Sequence, residues 1–180
     1  MPADLEYLAG IRIEPFDSDR HDRTEFSCGV ERLDNFLKIT ASKYVKGDNG
    51  KIYVAVEKDS GRVVGFHAIN PHAIDISEFD ERTRKRFPGG RDRISAFYLS
   101  MFARDLSVRG KGLGPLLLAD VLSRCLAAAD IAGGRFIVLD ALDEKAERLY
   151  ASMGFQALPS QPRRMVISMA KVRQSAEAAT

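Results

Sequence analysis

Residues 105–126 read DLSVRGKGLGPLLLADVLSRCL, and this stretch decides how the rest of the chain is interpreted. Three alternating glycines lead from a polar turn into an apolar helical pattern, with Pro115 suited to the first helical position. Glycine has no Cβ, so the backbone can turn tightly there and approach a ligand closely. The N–H groups of a helix start and the helix dipole favour a bound anion. The stretch therefore predicts a phosphate-binding loop, to which Arg109 and Lys111 add positive charge.

The composition is that of a globular protein with mild charge: 180 residues, 45% apolar and 29% charged, with a net charge of +2. Cys28 and Cys125 form no CxxC pair, and three histidines make no metal-ligand pattern, so we expect reduced thiols and no metal. No apolar run is long enough to span a bilayer, and we expect a cytoplasmic protein. The length predicts a single domain over residues 1–171, followed by a disordered tail at 172–180.

Hydrophobic periodicity predicts strands and helices that alternate along most of the chain. The first half contains an edge strand, a helix capped by Ser27, a hairpin that Pro71 ends, and a short helix capped by Ser77. The second half contains a long apolar strand, the glycine loop with its helix, another buried strand, a helix that begins at Asp143, and closing strands. The predicted spans are 11–16, 27–44, 52–70, 77–87, 94–103, 135–139, 143–153 and 165–169. This order indicates an α/β fold with a mixed sheet.

Three kinds of glycine loop compete for the phosphate-binding stretch. A Walker loop needs GxxxxGK followed by Ser or Thr, and this spacing is absent. The dinucleotide fingerprint GxGxxG needs a glycine where the chain has Pro115. The acyl-CoA loop, R/Q-x-x-G-x-G/A, is matched at Arg109, Gly112 and Gly114. Taken alone, the stretch could also be only a tight turn that caps a helix.

Residues 143–155, DEKAERLYASMGF, carry a second motif. The stretch is similar to the pattern N-x-x-A-x-x-x-Y-x-x-x-G-F, and with the glycine loop it resembles the GCN5-related N-acetyltransferase (GNAT) family. FSCGVERLDNFL at 26–37 and LDALDEKAERLY at 139–150 resemble one branch, the acetyltransferase toxins of bacterial toxin–antitoxin pairs. The resemblance to the family covers roughly residues 94–170.

The resemblance implies an α/β fold with a GNAT-like mixed, mainly antiparallel sheet, in which helices flank splayed central strands. Acetyl-CoA is the implied cosubstrate and lies between the strands at 94–104 and 135–140. Tyr150 is the implied general acid, which protonates the leaving thiolate; outside the motif, it would be read as a half-buried core aromatic. Asp143 stands where many members carry an Asn that contacts the cofactor arm. The implied cofactor-binding residues are Phe102, Ala103, Arg104, Arg109, Gly110, Lys111, Gly112, Leu113, Gly114 and Asp143.

A basic stretch precedes the long central strand and suggests an RNA substrate. The candidate RNA-binding residues are Arg84, Lys85, Arg86, Arg91 and Arg93. Arg163 and Arg164 form a second basic pair. The first stretch could equally be surface charge matched to a helix dipole, because acidic residues lead the short helix and basic residues end it.

The toxin branch implies an aminoacyl-tRNA acceptor, a ribbon-helix-helix antitoxin partner and a homodimer. An α-amine with a pKa near 8 is partly neutral at pH 7, so it needs a weaker base than a lysine amine does. His67, His72 and Asp105 are candidate bases by residue type alone. Two alternatives stay open. The acceptor could be a small-molecule or protein amine, or the chain could be a non-catalytic module that keeps the CoA fold and binds RNA or protein.

Overall fold

A computed structural model describes residues 4–87, 89, 92–161 and 163–178. Seven helices and seven strands are present in this part of the chain. The helices are α1 Leu5–Ala9, α2 Glu31–Asn35, α3 Ala41–Lys46, α4 Glu81–Arg84, α5 Leu113–Ala132, α6 Glu144–Ser152 and α7 Met169–Ala178. The strands are β1 Ile11–Pro15, β2 Lys51–Glu57, β3 Val63–Asp75, β4 Arg93–Arg104, β5 Phe136–Asp140, β6 Gln156–Ala157 and β7 Arg164–Ser168.

The strands form one mixed sheet in the order β1-β2-β3-β4-β5-β7-β6. β1 pairs with β2, and β2 with β3, in antiparallel ladders. β5 and β6 each pair with β7 in antiparallel ladders, whereas β4 and β5 are parallel. The parallel ladder comprises three pairs, from Ala96–Phe136 to Tyr98–Val138. The mixed, mainly antiparallel sheet with flanking helices confirms the predicted fold class.

The chain divides into two compact units. Unit 1 comprises Met1–Asn70 and Ser100–Val121, and unit 2 comprises Pro71–Leu99 and Leu122–Thr180. Each unit is assembled from two separate stretches, because β3, β4 and α5 each contribute residues to both. The single domain over 1–171 stays a prediction.

Two apolar clusters form the interior of unit 1. The first packs the α2–α3 segment on β2 and β3, around Leu37 and Phe66. The second lies beneath the glycine loop and is formed by Ile11, Ala55, Val64, Val108, Leu113 and Leu117. In unit 2, the interior is formed by Ile74, Phe79, Ile94, Ala96, Phe136, Val138, Leu158 and Val166. Each cluster removes apolar area from water, which is the main favourable contribution to folding.

Several predicted boundaries in the first half are wrong. Ser27 does not cap the first helix: α2 begins after Val30, and the Asp34 carboxylate accepts bonds from the Cys28 N–H and the Ser27 hydroxyl. A π-helical turn at Phe36–Thr40 then connects α2 to α3. The short helix is α4, capped by the Asp80 side chain rather than by Ser77, which lies in a 3₁₀ turn.

Pro71 does not end its strand, since β3 continues to Asp75. The ladder between β2 and β3 ends at the pair Lys51–Ile69, so the missing N–H of Pro71 interrupts no bond to β2. Pro115 is the third residue of α5 and not the first. Its missing N–H still costs nothing, because the first four N–H groups of a helix lack internal acceptors.

The expected tail at 172–180 is wrong over its described part. Residues up to Ala178 form α7, in which Met169 and Val172 are buried one turn apart. Arg173 also forms an ion pair with Asp130. Two buried side chains on one face provide the tertiary packing that a short helix needs. Ala179 and Thr180 lie outside the described residues.

Candidate active site

The glycine loop of unit 1, residues 109–114, is exposed at Arg109 and Gly110 and becomes buried at Leu113 and Gly114. Val108 and Leu113 are at most 1% exposed and hold the loop at both ends. Gly110 and Gly112 have φ angles of 83° and 87°, in the left-handed region that residues with a Cβ rarely adopt. In the part of the chain that the structure describes, the N–H groups of Gly112, Leu113 and Gly114 have no backbone acceptor. These N–H groups are therefore available to an anion.

The positive charges at this loop are not neutralised. Among the described residues, no carboxylate forms an ion pair with Arg104, Arg109 or Lys111. Burial, and then the charge of the nearby Arg109, lower the pKa of Arg104. Two unpaired cations beside free N–H groups suit a pyrophosphate.

Helix α1, which the sequence analysis missed, holds the loop. The Asp4 N–H donates to the Lys111 carbonyl at 3.2 Å, and the Lys111 Nζ lies 4.2 Å from the centroid of the Tyr7 ring. Burial and the Glu57 carboxylate raise the pKa of Tyr7 to about 12, so its hydroxyl stays protonated and donates to Glu57. A five-residue helix gives almost no periodic signal, which explains why the sequence analysis missed it.

Gly65 on β3 lets α5 approach the sheet closely. A Cβ at this position would lie 2.8 Å from the Leu117 Cδ1 atom and 3.3 Å from the Ala103 carbonyl oxygen. Phe102, Ala103 and Arg104, at the end of β4, are predicted to pair with the cofactor arm. They lie in the same unit as the glycine loop. Nine of the ten predicted cofactor-binding residues lie in unit 1, and Asp143 lies in unit 2.

Two of the three candidate bases have structural partners. The buried Asp105 carboxylate accepts bonds from Ser27 N–H and from the Ser107 N–H and hydroxyl. Burial opposes its ionisation, but these bonds outweigh burial and lower the pKa of Asp105. His67 is fully buried and its Nε2 lies 2.7 Å from the Asp120 carboxylate on α5. Both groups thus fix the loop and its helix to the surrounding chain.

Tyr150 of unit 2 lies near the end of α6, and its side chain is only 6% exposed. Its ring contacts Phe155, with the ring centroids 5.9 Å apart, and its carbonyl accepts from the Met153 and Phe155 N–H groups. Burial, with a smaller contribution from the Asp143 charge, raises the pKa of Tyr150 far above its ordinary value. The phenol therefore keeps its proton at physiological pH and can act as a donor.

Asp143 is the N-cap of α6. Its Oδ1 accepts from the Ala146 N–H at 2.8 Å, which satisfies one of the helix's unpaired N–H groups. The side chain is exposed, and its predicted contact with the cofactor arm stays a prediction. The cap explains why a carboxylate is tolerated where the family pattern has an amide, since both side chains accept at this position.

An ion-pair network in unit 2 was missed by the sequence analysis. Arg164 donates from two nitrogens to Asp140, at 2.8 and 2.9 Å, and also to Glu78 at 3.2 Å. The Tyr98 hydroxyl donates to the same Asp140 carboxylate at 2.8 Å, and the His72 ring lies on Tyr98. Burial and the positive charge of Arg164 lower the pKa of His72. The second basic pair is therefore not a free patch, because carboxylates neutralise Arg164.

The predicted RNA-binding residues are exposed but have different surroundings. Lys85 pairs with Glu81 one turn away, at 2.8 Å, and Arg93 donates to the Ala73 carbonyl. Arg84 and Arg86 have no carboxylate partner among the described residues. Arg91 lies outside the described residues. This stretch is partly dipole-matched surface charge, as the alternative interpretation proposed, and partly unpaired.

The described residues contain no cluster of His, Cys, Asp and Glu that could hold a metal ion. Within the same part of the chain, no helix combines the length and the apolar character needed to cross a bilayer.

The mixed sheet and the glycine loop define a GNAT-type acetyltransferase fold. No protein-family model matches the chain. The sequence is 45% identical over 168 residues to a probable toxin TacT from Sinorhizobium fredii, covering 89% of this chain and 92% of that protein. It is 34% identical over 157 residues to a tRNA-acetylating toxin from Mycobacterium tuberculosis, covering 87% and 91%.

A solved structure of a tyrosine-to-phenylalanine mutant of KacT superposes with a TM-score of 0.85. The two sequences are 25% identical, and the match covers 92% of this chain and 99% of that one. The chain belongs to the acetyltransferase toxins of toxin–antitoxin systems, a branch of the GNAT family.

Proposed function

We propose that this protein transfers the acetyl group of acetyl-CoA to the α-amine of an aminoacyl-tRNA and thereby blocks translation. The observation that carries the proposal is the match to a tRNA-acetylating toxin at 34% identity over most of both chains. The match to a probable toxin at 45% identity supports the same class. The geometry of the glycine loop supports the donor, and the basic surface of unit 2 supports an RNA acceptor.

The glycine loop fits the pyrophosphate of acetyl-CoA. The N–H groups of Gly112, Leu113 and Gly114 would donate to its oxygens, and Arg104 and Arg109 would balance its charge. The backbone of Phe102–Arg104 would pair with the pantetheine arm as an added strand does. Acetyl-CoA supplies an activated thioester, and much of the rate enhancement comes from holding it beside the amine.

Tyr150 donates the proton that the leaving group needs. The amine nitrogen forms a bond to the acetyl carbon, the carbon–sulfur bond breaks, and the thiolate takes a proton from the phenol. The nitrogen of the new amide loses a proton to water, and the phenolate regains one from water. The raised pKa of Tyr150 means that the phenol is protonated at neutral pH, so its proton is present when negative charge develops on sulfur. An α-amine with a pKa near 8 is partly neutral at pH 7, so water suffices as the base that takes its proton before the attack.

The proposed setting is a toxin–antitoxin pair. The protein acts in the cytoplasm, where aminoacyl-tRNA is found, as a homodimer, and a ribbon-helix-helix antitoxin restrains it. The names of the two relatives support the toxin assignment. Relief of growth arrest by Tyr150→Phe in cells expressing the protein would support toxicity through acetylation.

The direct test incubates purified protein with labelled acetyl-CoA and bulk aminoacyl-tRNA. We expect label on the α-amine of the aminoacyl group, and a loss of at least 100-fold in kcat for Tyr150→Phe with acetyl-CoA affinity unchanged. Tyr44→Phe is the matched control, because it removes a half-buried phenol that donates only to Asn70 in unit 1. Unlabelled tRNA would exclude the proposed acceptor, and label on added small amines or proteins would then favour those substrates. Acetyl-CoA binding without any turnover would indicate a non-catalytic module.

A further inference from the structure

A cavity of about 740 Å³ in unit 2 is lined by side chains from distant parts of the sequence. Arg86 reaches it from the turn after α4, Arg135 from the residue before β5, and Arg173 from α7. We call it the arginine cavity. Its volume lies in the range of sites that hold a small ligand or a single nucleotide. Neither Tyr150 nor any residue of the glycine loop lines it.

The charge of the arginine cavity is one-sided. Its described lining contains three arginines and no carboxylate. A second cavity, of about 420 Å³ in unit 1, has a mixed lining in which Glu14 and Asp17 offset Arg20 and Lys46. We call this the mixed cavity. Asp130, which is not part of the lining, pairs with Arg173. Of these two cavities, the arginine cavity still has the larger excess of positive charge, and such an excess attracts a negative ligand.

Arg135 is held more firmly than an exposed arginine usually is. Its backbone N–H donates to the Ser95 carbonyl and its carbonyl accepts from the Met169 N–H, both at 2.9 Å. Its guanidinium carbon lies 4.9 Å from the centre of the Phe87 ring, which itself packs edge-on against Phe136. Cation–π contact orients the flat guanidinium while leaving its N–H groups available.

The remaining lining suits a ribose-phosphate unit. Thr83, Ser95 and Ser168 add hydroxyl groups, and Gln156 adds an amide, around the three guanidinium groups. Most hydrogen bonds from proteins to a nucleic acid go to phosphate and sugar, and Arg, Ser, Thr and Gln make many of them. Arginine also recognises phosphate through two parallel N–H bonds.

We propose that the arginine cavity binds the ribose-phosphate backbone of the substrate RNA. The inference rests on the proposed function, because it takes the RNA to be the acetyl acceptor. It extends the predicted basic stretch, of which Arg86 is a member, to two arginines that lie about 50 and 90 residues further along the chain. The cavity reads no base sequence, since phosphate contacts fix position and carry no base information.

The test is the double variant Arg135→Ala/Arg173→Ala, assayed on aminoacyl-tRNA and on an aminoacylated trinucleotide. We expect the KM for tRNA to rise at least tenfold with kcat unchanged, and turnover of the trinucleotide to stay the same. The slope of log(kcat/KM) for tRNA against log salt should fall by about 1.5, because each lost phosphate contact removes about 0.7 to 0.9. Thermal unfolding of the variant confirms that it is folded.

The matched control is Arg12→Ala/Arg20→Ala, which removes the same charge beside the mixed cavity, where both arginines pair with Glu14. We expect no change in salt slope for this variant. An unchanged KM and slope in the double variant, with an active parent, would overturn the inference and leave the proposed function intact.

The two ideas fail in different ways. If the parent acetylates no aminoacyl-tRNA, the proposed function fails, and binding of uncharged tRNA by fluorescence anisotropy still tests the cavity. A double variant that binds tRNA normally but loses an antitoxin peptide, or changes its mass in solution, would assign the cavity to a protein partner and overturn the inference.

Discussion

The glycine loop and the arginine cavity both attract anions, but they are built differently. The loop presents backbone N–H groups from one hexapeptide, held in left-handed conformations at Gly110 and Gly112. The arginine cavity presents side chains from three elements that are far apart in sequence. Backbone donors of a short segment are fixed by local geometry, whereas convergent side chains depend on the packing of whole elements. We therefore expect the loop to select one phosphate geometry and the cavity to select negative charge.

The strongest test of this difference is Gly112→Val. The β-branched side chain cannot adopt a φ of 87° without strain, so the N–H groups of the loop move away from the pyrophosphate. We expect the Kd for acetyl-CoA to rise about 10- to 100-fold, which corresponds to about 1–3 kcal/mol. Isothermal titration calorimetry measures this change.

Gly61→Val is the control for backbone strain. Gly61 has a φ of 68° in the exposed turn between β2 and β3, with open space where a Cβ would lie. We expect a lower Tm for both variants and an unchanged Kd for Gly61→Val. Equal loss of acetyl-CoA affinity in the two variants would mean that general destabilisation, and not the loop, explains the effect.

Asp140→Asn tests whether Arg164, a member of the second basic pair, contributes to tRNA binding. Arg164 loses its charged partner, and we expect the free energy of unfolding at pH 7 to fall by about 1–2 kcal/mol, allowing for the partial exposure of the pair. The slope of log(kcat/KM) for tRNA against log salt should stay the same. Urea unfolding and the acetylation assay measure the two quantities.

The same variant gives a pH dependence. The Arg164 hydrogen bonds, opposed by burial, lower the pKa of Asp140 in the folded state. A lowered folded pKa stabilises the protein above the unfolded pKa, near 3.9, and this contribution is lost as the pH falls through the folded value. The stability difference between parent and Asp140→Asn should therefore shrink between pH 5 and pH 3. A difference that stays constant over this range would show that ionisation of Asp140 contributes nothing.

The smallest expected effect is a gain from Asp130→Asn. Asp130 forms an ion pair with Arg173, and both side chains are about half exposed. Removing the carboxylate frees one guanidinium of the arginine cavity, and we expect tRNA to bind about two- to threefold more tightly at low salt. Glu144→Gln, which removes an exposed carboxylate that pairs with Arg148 on α6, is the charge-matched control. Equal gains in both variants would mean that the change in net charge alone explains the tighter tRNA binding.

Much of the fold followed from the sequence, because long elements carry a clear period. The strands predicted at 94–103 and 135–139 and the helix predicted to begin at Asp143 lie within a residue or two of β4, β5 and the start of α6. The errors fall where a local rule was outweighed. Pro71 lies beyond the ladder that β3 forms with β2, and the cap expected from Ser27 is replaced by the Asp34 carboxylate inside the helix. The expected tail is the end of α7, which is anchored by the buried Met169 and Val172.

By itself, the sequence determined the glycine loop, the motif around Tyr150 and the class of enzyme that they define. These features are contiguous in the chain, and backbone sterics and helix ends act over a few residues. The tertiary structure alone decided which arginines are free. Arg164 is neutralised by Asp140 and Glu78, whereas Arg135 has no carboxylate partner among the described residues and Arg173 pairs with Asp130, which lies outside the cavity lining. The electrostatic interaction of two charges depends on their distance in space, and that distance cannot be read from their separation along the chain.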